Sequence, residues 1–88
     1  MKADQTNDAE ALALGALGWA LAEDRRAQRL VALTGLTPAG MRESLEDRGF
    51  LAELLRFLEA HEPDLVACAS ELGVSPARLV AAREALER

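Results

Sequence analysis

Few side chains in this 88-residue chain have the chemistry of a metal or catalytic site. The chain contains one histidine, His61, and one cysteine, Cys68. The segment that starts at His61 reads His-Glu-Pro-Asp, but Leu65 stands where a zinc-protease motif has its second histidine. No metal-ligand set can be assembled, so no metal site is predicted. We interpret His61 as a helix-terminal residue whose imidazole favours the helix dipole.

The hydroxyl side chains fit helix capping better than nucleophilic catalysis. Thr37 and Ser75 each precede a proline, a pairing typical of a helix start, and Thr34 precedes a glycine at a helix end. No histidine or lysine base lies near them in the sequence. The glycines lie inside helices or end them, so no phosphate-binding loop is present. The sequence therefore predicts no catalytic residue, no cofactor and no enzymatic activity.

Three arginines, Arg25, Arg26 and Arg29, form a concentrated positive patch. They fall in the first turns of a predicted helix, where the helix dipole disfavours cations and Arg25 repels Arg29. They could contact an acidic partner, or they could be neutralised by carboxylates such as Glu23, which is the explanation we favour. Trp19 is expected to anchor the core, although it could also be an interface hot spot. These arginines and Trp19 are the candidate partner contacts.

Composition indicates an all-α fold for the elements that must position these residues. Half of the chain is hydrophobic, with eighteen alanines and sixteen leucines but four valines, three threonines and no isoleucine. The length allows one small domain. The net charge of -5 disfavours nucleic acid and anionic membrane as partners.

One apolar run, residues 11–22, superficially resembles a signal peptide. The residues before it are acidic where a signal peptide is positive, and the run is too short to span a membrane. The single cysteine excludes an intramolecular disulfide and fits a reducing compartment. We therefore expect a soluble, cytoplasmic protein.

Helix start and stop signals divide the chain into a flexible tail, residues 1–6, and one helical domain, residues 7–88. The domain is predicted to be a compact array of about six short helices, over about residues 7–23, 24–34, 38–47, 50–61, 63–72 and 76–88. Because every connection is short, consecutive helices should pack as neighbours.

The first predicted helix carries a stripe of small residues, Ala11, Gly15, Gly18 and Ala22. Other helices could pack closely against this stripe, or it could stay exposed as a groove for a second copy or a foreign helix. In a six-helix domain we favour close packing. The fourth predicted helix has the clearest amphipathic pattern, with one broad apolar face formed by Phe50, Leu51, Leu54, Leu55, Phe57 and Leu58.

The last two predicted helices have the spacing of a DNA-binding helix-turn-helix. Ala69, Gly73 and Leu79 fall where such units place a small inter-helix contact, the turn and a core residue. The residues that would face the DNA groove cannot hydrogen-bond to base edges: they are Pro76, Ala77, Val80 and Ala81. The sequence favours this packing unit but not DNA recognition.

Several segments of the chain resemble a family of small bacterial helical proteins, the domain of unknown function 3572. The resemblance runs from about Ala11 over nearly the whole chain and is carried by Leu17-Gly18-Trp19, Glu23-Asp24, Arg26, Leu33-Thr34-Gly35-Leu36, Arg42, Phe50-Leu51, Phe57-Leu58 and His61-Glu62-Pro63-Asp64-Leu65. It implies a helical, bacterial, cytoplasmic protein. The family brings no established activity, cofactor or functional residue to these positions.

The leading functional hypothesis is a non-enzymatic protein-protein interaction module, whose partner is an unknown protein or a second copy. One alternative is a helix-turn-helix DNA-binding regulator that uses the last two helices. A weaker alternative is the accessory subunit of an enzyme.

Overall fold

The computed structural model describes the backbone of residues 2–88 and the side chains of residues 8–88. Six helices form this part of the chain, as the start and stop signals predict, and no strand is present in it, as the composition predicts. The helices are α1 (Lys2–Leu21), α2 (Asp24–Thr34), α3 (Pro38–Glu43), α4 (Arg48–Glu59), α5 (Glu62–Leu72) and α6 (Pro76–Leu86). The Cα radius of gyration, 11.9 Å, is close to the value of about 12 Å expected for a compact chain of this length.

Side-chain caps begin three of the helices. The Thr37 hydroxyl accepts a hydrogen bond from the Gly40 amide at 3.0 Å, and the Ser75 hydroxyl accepts one from the Arg78 amide at 3.1 Å. Both residues were predicted as caps. The carboxylate of Asp47 caps α4 by accepting from two amides of its first turn.

Glycines end two helices in the left-handed conformation. Gly35 after α2 has φ +72°, and Gly73 after α5 has φ +73°. Both were predicted as helix stops, and each allows its amide to reach a carbonyl of the preceding turn.

Some helix boundaries differ from the prediction. Helix α1 begins at Lys2 rather than near Asn7, so helical backbone extends into the segment predicted as a tail. The predicted flexibility of residues 1–6 lies outside the described side chains and stays a prediction. Helix α3 ends at Glu43, four residues early, because Asp47 caps α4 instead of continuing α3.

The core is centred on α4, where Leu51, Leu54, Leu55 and Leu58 are fully buried. Helix α6 packs on both α1 and α4. Buried side chains from all six helices join in one cluster, so the broad apolar face predicted for α4 is confirmed in its main part.

The small-residue stripe of α1 is not the face that packs closely, contrary to the favoured interpretation. Ala11, Gly18 and Ala22 are exposed, and a Cβ on Gly18 would meet nothing within 4 Å. Only at Gly15 does a neighbour approach, because Leu72 lies 3.1 Å from the position of a Cβ. The buried face is a second small stripe offset around the helix: Ala9, Ala13, Ala16 and Ala20, each at most 1% exposed. Because both stripes of α1 consist of small residues, either could have packed against other helices. The positions of α4 and α6 bury the second stripe.

Candidate interaction site

Arg26 and Trp19 bind each other at the junction of α1 and α2. The guanidinium of Arg26 lies 3.7 Å from the centroid of the Trp19 ring, and its Nη2 donates to the Trp19 carbonyl at 2.9 Å. Nη1 lies 3.1 Å from a carboxylate oxygen of Glu23. Trp19 is partly buried against the core, where it was expected as an anchor. The main contacts of both side chains are therefore within the chain.

Arg29 lies on the outer side of α2 and reaches α5. Its Nη2 is 2.6 Å from a carboxylate oxygen of Asp64, and its guanidinium lies 5.5 Å from the centroid of the Phe57 ring. The side chain is still 46% exposed. Arg25 is exposed and has no ion pair within residues 8–88. Carboxylates thus neutralise two of the three arginines, and Arg25 and Arg29 remain accessible.

Two adjoining hollows lie between the outer side of α2 and the end of α4. The first, about 570 Å³, is lined by Glu23, Arg25, Gln28, Arg29, Ala32 and His61. The second, about 520 Å³, is lined by Arg29, Leu33, Glu53, Arg56, Phe57, Ala60 and His61. Because Arg29 and His61 line both, the hollows form one continuous depression, which we call the α2/α4 groove.

The groove exists because α2 packs chiefly against α1, and α4 faces the core with α1, α5 and α6. Leu33 therefore points into the groove, 55% exposed, and Phe57 on α4 is half-buried beside it. These side chains give the groove an apolar floor, and Leu14 and Val66 are exposed to a similar extent elsewhere on the described surface.

The sequence analysis placed Phe57 on the broad apolar face of α4 and assigned Leu33 to neither the core nor the surface. A signal for their exposure was available in the width of the apolar arcs. On α4, the buried residues Phe50, Leu54 and Leu58 form the part of the apolar face that the neighbouring helices cover. Phe57 lies at the edge of this apolar face. On α2, Leu33 is likewise off the line of Leu30, the one fully buried residue of that helix.

His61 and Cys68 lie in different environments. His61 is exposed at the N-cap position of α5, just past the end of α4, and its imidazole makes no hydrogen bond within residues 8–88. Its backbone amide instead donates to the Leu58 carbonyl at 3.1 Å. Cys68 is fully buried, as predicted, and burial raises the pKa of its thiol to about 11. Among the described residues, no three histidine, cysteine or acidic side chains are grouped as a metal ion would require.

A family model described as "Protein of unknown function (DUF3572)" matches residues 6–88. The chain belongs to the DUF3572 family. The match covers the whole of the α2/α4 groove and confirms the resemblance noted from the sequence. No curated protein matches the chain, and no solved structure matches it.

Helices α5 and α6 of this DUF3572 chain meet at 96° across Gly73. Ala69 and Leu79 are buried at their crossing, as a helix-turn-helix unit requires. Across residues 2–88, no single helix is long and apolar enough to cross a membrane; this bent pair meets the length and composition criteria only when both helices are taken together.

Proposed function

We propose that this protein is a non-enzymatic interaction module that binds a protein partner through the α2/α4 groove. The observation that carries the proposal is the apolar floor formed by the exposed Leu33 and the half-buried Phe57, set between two helices that leave it uncovered. Helix-binding grooves in proteins combine such an apolar floor with polar rims. The groove has both.

The chemistry of the chain supports a binding role over a catalytic one. The thiol of Cys68 is buried and its raised pKa opposes formation of the thiolate nucleophile. His61 opens onto the groove, but the groove places no serine, threonine or cysteine beside it. We place the module in the cytoplasm, since a reducing environment suits its one thiol.

The proposal is tested by comparing two charge-introducing variants in an affinity purification from native cells. Leu33→Glu disrupts the groove floor, whereas Val66→Glu introduces the same charge at a residue of α5 that is 50% exposed and lines neither hollow. We expect a stoichiometric partner with the wild type and with Val66→Glu, and its loss with Leu33→Glu. Circular dichroism verifies that both variants are folded.

The co-purified partner is then purified and titrated against the three proteins by calorimetry. Binding that Leu33→Glu weakens by at least about tenfold, and Val66→Glu leaves unchanged, supports the groove as the binding site. Equal binding by all three proteins, or a loss with Val66→Glu alone, contradicts it. A partner that is an enzyme whose activity needs this chain would identify the module as an accessory subunit.

A second candidate function is DNA binding through α5 and α6, favoured by the 96° crossing of these helices. The residues of α6 that would face the DNA groove are apolar: Ala77 and Ala81 are exposed, and Pro76 and Val80 are half-buried. None can hydrogen-bond to a base edge. Fluorescence anisotropy with a mixed-sequence DNA duplex at low salt tests this function; salt-dependent binding at micromolar protein would support it.

A further inference from the structure

We propose that residues 24–46, which contain α2 and α3, form an arm that opens from the fold as one unit while the other helices stay folded. We call those other helices, α1, α4, α5 and α6, the body. The inference goes beyond the proposed function, because it concerns the free protein and is tested without a ligand.

The body is a complete packing unit without the arm. Each of its four helices packs on the other three. Each also contributes at least two buried side chains to the hydrophobic core. The body therefore keeps most of its stabilising contacts when the arm leaves it.

The arm has few contacts with the body. In the described part of the chain, α2 packs extensively only on α1, and α3 packs extensively on no helix. Leu30 and Met41 are the two buried side chains of the arm, one from each of its helices. Segments with few buried apolar side chains open at a lower free energy than the core of the same domain.

The polar contacts between arm and body lie near the start of α2. Arg26 stacks on Trp19 and donates to its carbonyl, and Arg29 pairs with Asp64. The Arg29 side chain is 46% exposed, so its ion pair adds little stability. Beyond Arg29, the side-chain hydrogen bonds of the arm with described residues have both partners inside the arm. The rest of the arm is therefore held to the body by apolar contacts.

Short turns join the arm to the body at both ends. Before α2, Ala22 and Glu23 are exposed, and the Glu23 side chain makes no capping hydrogen bond to α2. After α3, the chain passes through residues 44–46 before Asp47 caps α4. Because Asp47 stays with α4, the arm can leave without uncapping that helix. Residues at the ends of helices commonly absorb the backbone rotation of such a movement.

Opening of the arm exposes its backbone amides to exchange with solvent. Helix α2 has eleven residues and α3 has six. Isolated helices shorter than about 12 to 15 residues are marginal in water, so both helices lose their protection when they leave the body. The α2/α4 groove exists only while the arm is closed, because α2 forms one of its walls.

The test is native-state hydrogen exchange of the full-length protein, followed by NMR at low urea concentrations. We expect the amides of α2 and α3 to share one level of protection, at least about tenfold below that of α4 and α6, with a smaller dependence on urea. Equal protection and equal urea dependence of arm and body would overturn the inference. Protection that varies along α2 without urea dependence would also overturn it, because it indicates local fraying.

Two matched cap variants separate opening of the arm from unfolding of the whole protein. Thr37→Ala removes the hydroxyl cap of α3 in the arm, and Ser75→Ala removes the equivalent cap of α6 in the body. Because the body is folded in both the closed and the open state, Ser75→Ala leaves the opening equilibrium unchanged. We expect it to speed exchange of α4 and α6 amides about fivefold and of α2 amides by less than about twofold.

Thr37→Ala should speed exchange of α2 amides about fivefold, since it destabilises the arm in the closed state only. Circular dichroism verifies that both variants are folded. An equal response of arm and body to Ser75→Ala would overturn the inference, because the arm would then exchange only through global unfolding. Unchanged α2 exchange in Thr37→Ala would show that α2 opens without α3, which contradicts an arm that moves as one unit.

Discussion

The guanidinium of Arg26 stacks on the indole ring of Trp19 at 3.7 Å from the ring centroid, seven residues earlier in the chain. The same side chain donates to the Trp19 carbonyl and pairs with Glu23. One arginine thus closes the turn between α1 and α2, and it fixes the direction in which α2 leaves α1.

Arg26→Ala is expected to lower the free energy of unfolding by about 1 to 2 kcal/mol, because it removes a cation-π contact and a hydrogen bond. The Arg26 side chain that makes both is only 16% exposed. Urea denaturation followed by circular dichroism measures the change, and Trp19 emission should shift to the red. The matched control is Arg25→Ala, which should change stability by less than about 0.5 kcal/mol. Equal losses for both variants would contradict the role assigned to Arg26.

Gly18→Ala is expected to stabilise the protein by about 0.5 to 1 kcal/mol, since Gly18 lies inside α1 with open space around a new Cβ. Gly73→Ala should instead destabilise by about 1 kcal/mol, because its φ of +73° is strained for alanine. Thermal unfolding of the two variants provides the comparison. A destabilising Gly18→Ala would mean that another helix packs on that face of α1.

We expect Glu87 to make the stability of the protein depend on pH in the acid range. Hydrogen bonds from Arg56 at 2.6 Å and Arg83 at 3.0 Å lower the pKa of Glu87 below its ordinary value of 4.5. A carboxylate whose pKa is lower in the folded state stabilises the fold at pH values above its unfolded pKa, and the stabilisation is lost as pH falls through the folded pKa. The loss therefore begins near pH 4.5 and continues below it.

Glu87→Gln should remove that part of the pH dependence. The melting temperature of the wild type should exceed that of the variant at pH 6, and the difference should shrink as the pH falls below about 4.5. Glu84→Gln, an exposed position on α6, is the control and should show no such trend. A difference that stays constant with pH would show that Glu87 contributes through packing rather than charge.

The Cys68 thiol should resist modification in the folded protein. With a pKa of about 11 instead of 9.0, the thiolate at pH 8 is about a hundredfold scarcer, and the buried sulfur is also shielded from reagents. A disulfide reagent should therefore react slowly with native protein and rapidly in 6 M urea. Fast reaction without denaturant would show that α5 opens readily and that the thiol is accessible.

The positions of the helices could be predicted from short-range signals. Thr37 and Ser75 cap because a hydroxyl next to a proline satisfies the amides of a first helical turn, and Gly35 and Gly73 stop helices because alternatives at positive φ are strained. These preferences act within a few residues, so no tertiary information was needed. The early end of α3 was missed because Asp47 could belong to either of two helices.

The candidate site depended on the tertiary arrangement. Composition and spacing determined an acidic, all-α chain with an arginine cluster beside a tryptophan, but they placed Phe57 on the same apolar face as residues that are fully buried. Periodicity determines which residues share a face of one helix, whereas burial depends on which other helix covers that face. Helix α2 packs against α1 and leaves one side of α4 uncovered. The packing of the helices alone therefore decided that a groove exists and that Arg25 and Arg29 line it.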